Sequence, residues 1–148
     1  MIVKRTQVGI IGAGPAGLML GRLLMEQGIS SVILETKTRD YVESRIRAGV
    51  LENGTVELLK EAKADYRLKT EGQTHNGLEF SINGQRSRID LNQYSKGKSV
   101  IVYGQTEITI DLISTHIRSG GEIIFSANNV LPINSIHQNL ILLINITT

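Results

Sequence analysis

The chain has no cysteine and no tryptophan, and only two prolines and two phenylalanines among its 148 residues. Without thiols it has no disulfide, no thiolate metal site and no cysteine nucleophile, which fits a cytoplasmic setting. Aromatic residues make up 4% of the chain and basic residues are not interleaved with them; the expectation is no nucleic-acid partner. A net charge of +2 implies neither a polyanionic nor a membrane-surface partner. No apolar run approaches the roughly 20 residues that a membrane-crossing helix needs. Lys4 and Arg5 before an apolar stretch imitate a secretory leader, but Gly12, Gly14 and Pro15 interrupt it. There is no GxSxG and no P-loop lysine, and His75, His116 and His137 lack metal-ligand spacing. No metal-binding residue and no catalytic residue is therefore assigned.

Charge is also missing locally. From Ile123 to Thr148 there is no Asp, Glu, Lys or Arg, while Asn and Ile accumulate. The rest is ordinary for a globular protein, 41% hydrophobic and 20% charged, and long enough for one domain with a core.

What is present concentrates between Val8 and Glu35. A short apolar run, Val8 to Ile11, enters Gly12-x-Gly14-x-x-Gly17, an amphipathic segment follows, and a second apolar run ends in Glu35. Strand, glycine turn, helix, strand and acid in that order predict a dinucleotide-binding βαβ unit. Gly12 allows the tight turn, Gly14 lets backbone approach a pyrophosphate, and Gly17 lets the helix pack against the strand. The helix N-terminus offers free N–H groups and a partial positive charge to phosphates. Gly21 extends the small-residue face, and Gly28 falls where a helix ends. Glu35 is placed to accept hydrogen bonds from ribose hydroxyls and would repel a 2′-phosphate, which suits FAD or NAD.

Further along, Thr36–Gly49 is polar and basic and reads as a long connection. Leu51–Lys60 reads as a helix, with a short helical stretch at Ala64–Leu68. Alternating Leu78, Phe80 and Ile82, then Asn83-Gly84, then Arg86, Arg88 and Asp90 predict a hairpin with a type I′ turn. Ser99–Tyr103 reads as a strand and Gly104–Ser119 as a helix stopped by Gly120-Gly121. Strands are expected at Glu122–Phe125 and Asn129–Ile133, and a buried strand at Leu140–Ile146.

The segments VGIIGAGPAGLMLGRLL, ILE, DYVESRIRAGVLENG, GQRSRIDL and VYGQTEIT carry a resemblance. In register from about Thr6 to about Val130, the chain resembles the N-terminal part of the 4-hydroxybenzoate 3-monooxygenase family of single-component flavoprotein hydroxylases. The resemblance implies an α/β fold: a Rossmann-like FAD-binding βαβ unit with an inserted β-hairpin, incomplete relative to the full family fold. Residues 1–148 would form a partial FAD-binding domain with an atypical uncharged tail at 131–148 and the substrate domain absent. It implies FAD as cofactor, NADPH as electron donor with NADH left open, and O2 as co-substrate. In the complete enzyme it implies a small aromatic substrate, 4-hydroxybenzoate, converted to 3,4-dihydroxybenzoate, and it allows a homodimer.

Carried over by residue, the resemblance sets Ala16 against the FAD phosphates, in the cofactor-binding loop of Gly12, Gly14, Pro15 and Gly17, and Glu35 on the adenosine ribose. Arg45, Ile46, Arg47, Ala48, Gly49 and Val50 would line the cofactor, with Arg47 near the pyrophosphate and Gln105 on the flavin side. Independently, arginines two apart in an extended chain point the same way, and Gln105 opens a predicted helix, where free N–H groups face an anion. Lys37 and Tyr41 follow the ribose acid, and Lys37 is either a 2′-phosphate contact or a solvated lysine. The substrate pocket and proton-relay residues of the family fall outside the matching segments. The coincident loss of charge and of resemblance beyond Val130 suggests a frameshift or truncation. Two other readings stay open: an NAD-binding, dehydrogenase-type module, and an inactive remnant.

Overall fold

The computed structural model describes residues 5–133 and 141–146. Strand β1 (Val8–Ile11) runs into Gly12, which turns the chain with φ +104°. Helix α1 (Pro15–Glu26) then starts with Gly14 as its N-cap and proline at its first position, where a missing N–H costs nothing. It ends through Gln27 and Gly28, the latter left-handed at φ +71°. Strand β2 (Ser31–Leu34) returns parallel to β1, with Val8 opposite Ser31 and Ile11 opposite Leu34. The predicted βαβ unit is present at the predicted place.

The polar stretch after Glu35 differs from the expected loop. It contains helix α2 (Arg39–Ser44), whose start is capped by the Thr38 hydroxyl accepting from the Tyr41 N–H. An Arg39–Glu43 ion pair one turn apart supports it. A charged six-residue helix has no apolar stripe for a periodicity reading to find. Val50–Leu51 forms strand β3, so helix α3 begins only at Asn53 and runs to Glu61. Helix α4 (Tyr66–Glu71) lies slightly later than expected, and strand β4 (Gln73–His75), not foreseen, follows it. Strands β5 (Gly77–Ile82) and β6 (Gln85–Asp90) form the expected hairpin, with Asn83 and Gly84 both at positive φ. A short helix α5 (Leu91–Tyr94), capped by the Asp90 carboxylate, follows. Strand β7 (Val100–Val102) pairs antiparallel with β3 on one side and β4 on the other. Helix α6 (Gln105–Arg118) ends at Ser119, before left-handed Gly120. Strand β8 (Glu122–Ile124) joins β2 in parallel, giving the sheet order β1-β2-β8.

Strand β9 (Ala127–Ile133) begins two residues earlier than expected and pairs antiparallel with β10 (Ile141–Ile146). The expected tail strand is there as backbone; its first residue, Leu140, lies outside the described residues, as does His137.

The core sits between α1, α6 and the parallel sheet. Leu18, Ile33, Leu112 and Ile113 have no accessible surface, and Leu59, Ala62 and Leu68 join them from α3 and α4. Gly21 makes this approach possible: a Cβ there would stand 2.7 Å from Ile33 Cδ1 and 3.3 Å from His116 Cε1. Buried Arg22 donates from Nε to the Ala62 carbonyl at 3.0 Å, satisfying the end of α3, and pairs with Glu26. Lys63 also pairs with Glu26 and, by that hydrogen bond first, lowers its pKa.

Candidate functional site

The site forms at the carboxyl ends of β1 and β2, where helix α1 begins. Gly12 N–H donates to the Leu34 carbonyl at 2.7 Å, so pairing with β2 continues into the glycine turn. Gly17 sits on the inner side of that turn. A Cβ there would lie 2.1 Å from the Gly12 carbonyl oxygen and 3.2 Å from Ile10 Cγ2. Gly12 and Gly14 are open instead, with nothing within 4 Å of where a Cβ would stand. The α1 N-terminus has no side-chain cap, so its first N–H groups and the positive end of the helix dipole face the opening.

Glu35 closes the turn from the other side. Its Oε2 accepts the Ala13 N–H at 2.8 Å, and its Oε1 accepts the Lys37 N–H at 2.8 Å and the Thr36 hydroxyl at 3.3 Å. Its own backbone is fixed on both sides, the N–H donating to the Ile124 carbonyl and the carbonyl accepting from Ala127 N–H, each at 2.9 Å. The acid is thus a staple between loop and strand. Each carboxylate oxygen has two lone-pair directions, so Oε2 keeps one for another donor.

A polar cavity of ≈ 220 Å³ opens here, lined by Ala13, Gly14, Pro15, Glu35, Thr36, Lys37, Tyr41, Val42, Arg45, Arg47, Gln105 and Thr109. The Tyr41 ring lies against two of its cations, with Lys37 Nζ at 5.6 Å and the Arg45 guanidinium at 5.9 Å from the ring centre. Beside it lies an apolar cavity of ≈ 470 Å³ walled by Pro15, Ala16, Met19, Ala48, Val50, Leu51, Thr55, Leu58, Gln105, Ile108 and Leu112. Pro15 and Gln105 belong to both walls. Leu58 is 42% exposed and faces this opening.

Most of the residues singled out from sequence meet here. Gly14, Pro15, Glu35, Arg45, Arg47 and Gln105 line the polar cavity, and Ala16, Ala48 and Val50 the apolar one. Gly12, Gly17, Ile46 and Gly49 line neither. Gly12 and Gly17 shape the loop from beneath, Gly49 packs against the Tyr103 backbone, and Ile46 is 89% exposed. Sequence reasoning did not single out Thr109, Met19, Thr55 or Leu58. Thr109 stands one helical turn after Gln105 and donates its hydroxyl to the Gln105 carbonyl at 2.8 Å; that i, i+4 spacing was a usable signal.

Behind Gln105 the start of α6 is fixed by a charged network. The Tyr103 hydroxyl donates to Asp111 at 2.7 Å, and Arg67 reaches Asp111 at 3.0 Å as well as Glu71 and Glu107. Burial first, and then the bond to Asp111, raises the Tyr103 pKa, so the phenol stays a donor beyond the pH at which a free tyrosine ionises. Among the described residues no group of three or more His, Asp or Glu could hold a metal, and no helix is long and apolar enough to cross a membrane.

Comparison with known proteins gives the family and the fold. The family described as FAD binding domain matches residues 5–139. A p-hydroxybenzoate hydroxylase of Acinetobacter baylyi is 48% identical over 130 residues, covering 88% of this chain and 32% of the relative. The chain thus spans about a third of the length of that relative. Among solved structures, a probable FAD-dependent monooxygenase of Pseudomonas aeruginosa, PqsL, superposes with a TM-score of 0.74 at 18% identity, covering 88% of this chain and 36% of that one. A p-nitrophenol 4-monooxygenase of Pseudomonas putida gives 0.71 at 16% identity, over 83% and 33% of the two chains. At such identities the structural likeness speaks to the fold.

Proposed function

The chain belongs to the FAD binding domain family, and from that premise we propose that it is the cofactor-holding part of a flavoprotein aromatic hydroxylase. The observation that carries this reading is the pair of cavities meeting at Pro15 and Gln105, one polar and one apolar. The polar cavity suits an adenosine and a pyrophosphate, and the apolar one suits the flavin ring. NAD would share the first and set only its smaller nicotinamide ring in the second.

The residues fit the dinucleotide. Open backbone at Gly12 and Gly14, where an added Cβ would meet nothing, leaves room for phosphate against the uncapped α1 N-terminus. Arg47 and Arg45 supply charge-assisted hydrogen bonds to the pyrophosphate. Glu35 takes a ribose hydroxyl with its remaining Oε2 lone pair while keeping the loop closed. Gln105 orients the chain of the cofactor where the two cavities join, and Ala48 and Val50 border the ring. Bound FAD would supply the redox chemistry that activates O2 for ring hydroxylation. The substrate we propose is 4-hydroxybenzoate, on the strength of the relative that shares 48% identity. NADPH is the proposed donor, as the family resemblance implies; NADH is the alternative. Within this reading residues 1–148 act as a partial FAD-binding domain, and substrate-binding and catalytic groups are supplied elsewhere.

The test is a titration of the chain with FAD, followed by flavin fluorescence, with NAD as competitor. Saturable binding that NAD does not displace supports the proposal. Displacement by NAD at similar concentration would instead make this an NAD module, and absence of binding would make it a remnant. Glu35→Gln should weaken FAD binding by about 1–3 kcal/mol, because an amide cannot satisfy the N–H groups of Ala13 and Lys37 together.

A further inference from the structure

We propose that Thr106 is a positioning residue that sets Arg45 and Arg47 over the polar cavity. The inference rests on the dinucleotide reading of that cavity and adds to it what holds its cationic wall in place.

Arg45 is the C-cap of helix α2, with φ −74° and ψ 110°, so its carbonyl belongs to a helix end and needs a partner from outside the helix. Thr106, 61 positions later, donates its hydroxyl to that carbonyl at 3.0 Å. Four residues on, Tyr103 N–H donates to the Gly49 carbonyl at 2.8 Å. The approach is so close that a Cβ on Gly49 would stand 2.4 Å from the Tyr103 oxygen and 2.6 Å from Gly104 Cα. The strap from Arg45 to Gly49 is therefore pinned at both ends by residues 103 to 106. Between the pins it is exposed, with Ile46 at 89%.

The pins are themselves stiff. Tyr103 is tied through its hydroxyl to Asp111 and so to Arg67, and Thr106 lies in the first turn of α6. The strap borrows its order from this turn. Removing the Thr106 hydroxyl leaves the strap backbone with the Gly49 pin, and Arg45 with only its side-chain contacts to Tyr41, so the two arginines, both on the cavity wall, lose their fixed backbone placement. An exposed strap pays the full ordering entropy when phosphate must gather the arginines itself.

The experiment compares the full chain with Thr106→Val, which keeps the β-branched shape, and Thr106→Ser, which keeps the hydroxyl. FAD affinity is measured against salt concentration, and amide hydrogen exchange at residues 45–49 is measured without ligand. The expected result is that Thr106→Val weakens FAD binding about fivefold to tenfold, the size of one net hydrogen bond. It should also flatten the salt dependence and speed exchange at residues 45–49, while Thr106→Ser stays near wild type in all three. Normal affinity in Thr106→Val, unchanged exchange at 45–49, or a serine variant that behaves like valine would each overturn the proposal. Arg47→Gln separates the two readings: if it leaves FAD affinity untouched, the phosphate assignment falls, and the exchange data alone decide whether Thr106 orders the strap.

Discussion

The glycine loop from Gly12 to Gly17 and the strap from Arg45 to Gly49 face the same cavity but are held in opposite ways. The loop is shaped by its neighbours in sequence: pairing of β1 with β2, a left-handed Gly12, and a Gly17 that lets the helix lie on the turn. Apart from the Arg45 side-chain contacts with Tyr41, the strap has little local order, and its backbone shape comes from Thr106 and Tyr103 in a later part of the chain. A site can therefore combine a wall written in a motif with a wall written in tertiary contacts. The first resists substitution only at its glycines, while the second fails wherever a distant anchor is lost.

The comparison can be broken at its strongest point with Gly17→Ala. The added methyl meets a backbone oxygen at 2.1 Å, which no side-chain movement relieves, so we expect a loss of about 3 kcal/mol or more in denaturant unfolding, together with loss of FAD binding. Gly49→Ala makes the matching test in the strap. Its clash with Tyr103 and Gly104 is also with backbone, but the strap is exposed and can lift, so the expected cost is smaller, about 1–3 kcal/mol, with FAD affinity falling further than stability.

A third substitution probes the scaffold beneath the loop. His116 is wholly buried against Gly21 and Gly121. Burial first and the Arg22 guanidinium second lower its pKa, with the Glu122 backbone opposing. A histidine with a lowered folded pKa is neutral in both states at high pH, so it adds no pH dependence there. As pH falls below about 6.5, the unfolded chain takes up the proton first and stability drops, at up to about 1.4 kcal/mol per pH unit, until the folded pKa is passed. Melting curves between pH 7.5 and 5 should show this drop in the wild type and a shallower one in His116→Leu; equal slopes would mean that other groups carry it. The smallest effect is expected in the hairpin, where Phe80 is 45% exposed: Phe80→Thr should change stability by no more than about 0.5 kcal/mol.

The same contrast explains what the sequence made legible. The βαβ unit, the Asn83-Gly84 hairpin and helix α6 were readable because period, glycine and turn chemistry agree within a few residues. Helix α2 was not, because Arg39–Ser44 is held by a Thr38 cap and an ion pair and buries no residue. Strand β4, Gln73–His75, was missed for a related reason: its residues are polar and exposed, and pairing with β7 alone makes it a strand. At the site, the motif residues Gly14, Pro15 and Glu35 could be found by spacing. Arg45, Arg47 and Gln105 came from the family resemblance together with extended-chain geometry, and Thr106 had no local signal, since its partner lies 61 residues away.

Amide hydrogen exchange of the chain with and without saturating FAD tests most directly the claim that loop and strap close on one cofactor. Slowed exchange is expected in two separate stretches, Ala13–Gly17 and Arg45–Val50, with little change in the hairpin from Gly77 to Asp90. Protection of the loop alone, or of neither stretch while FAD is bound, would contradict it.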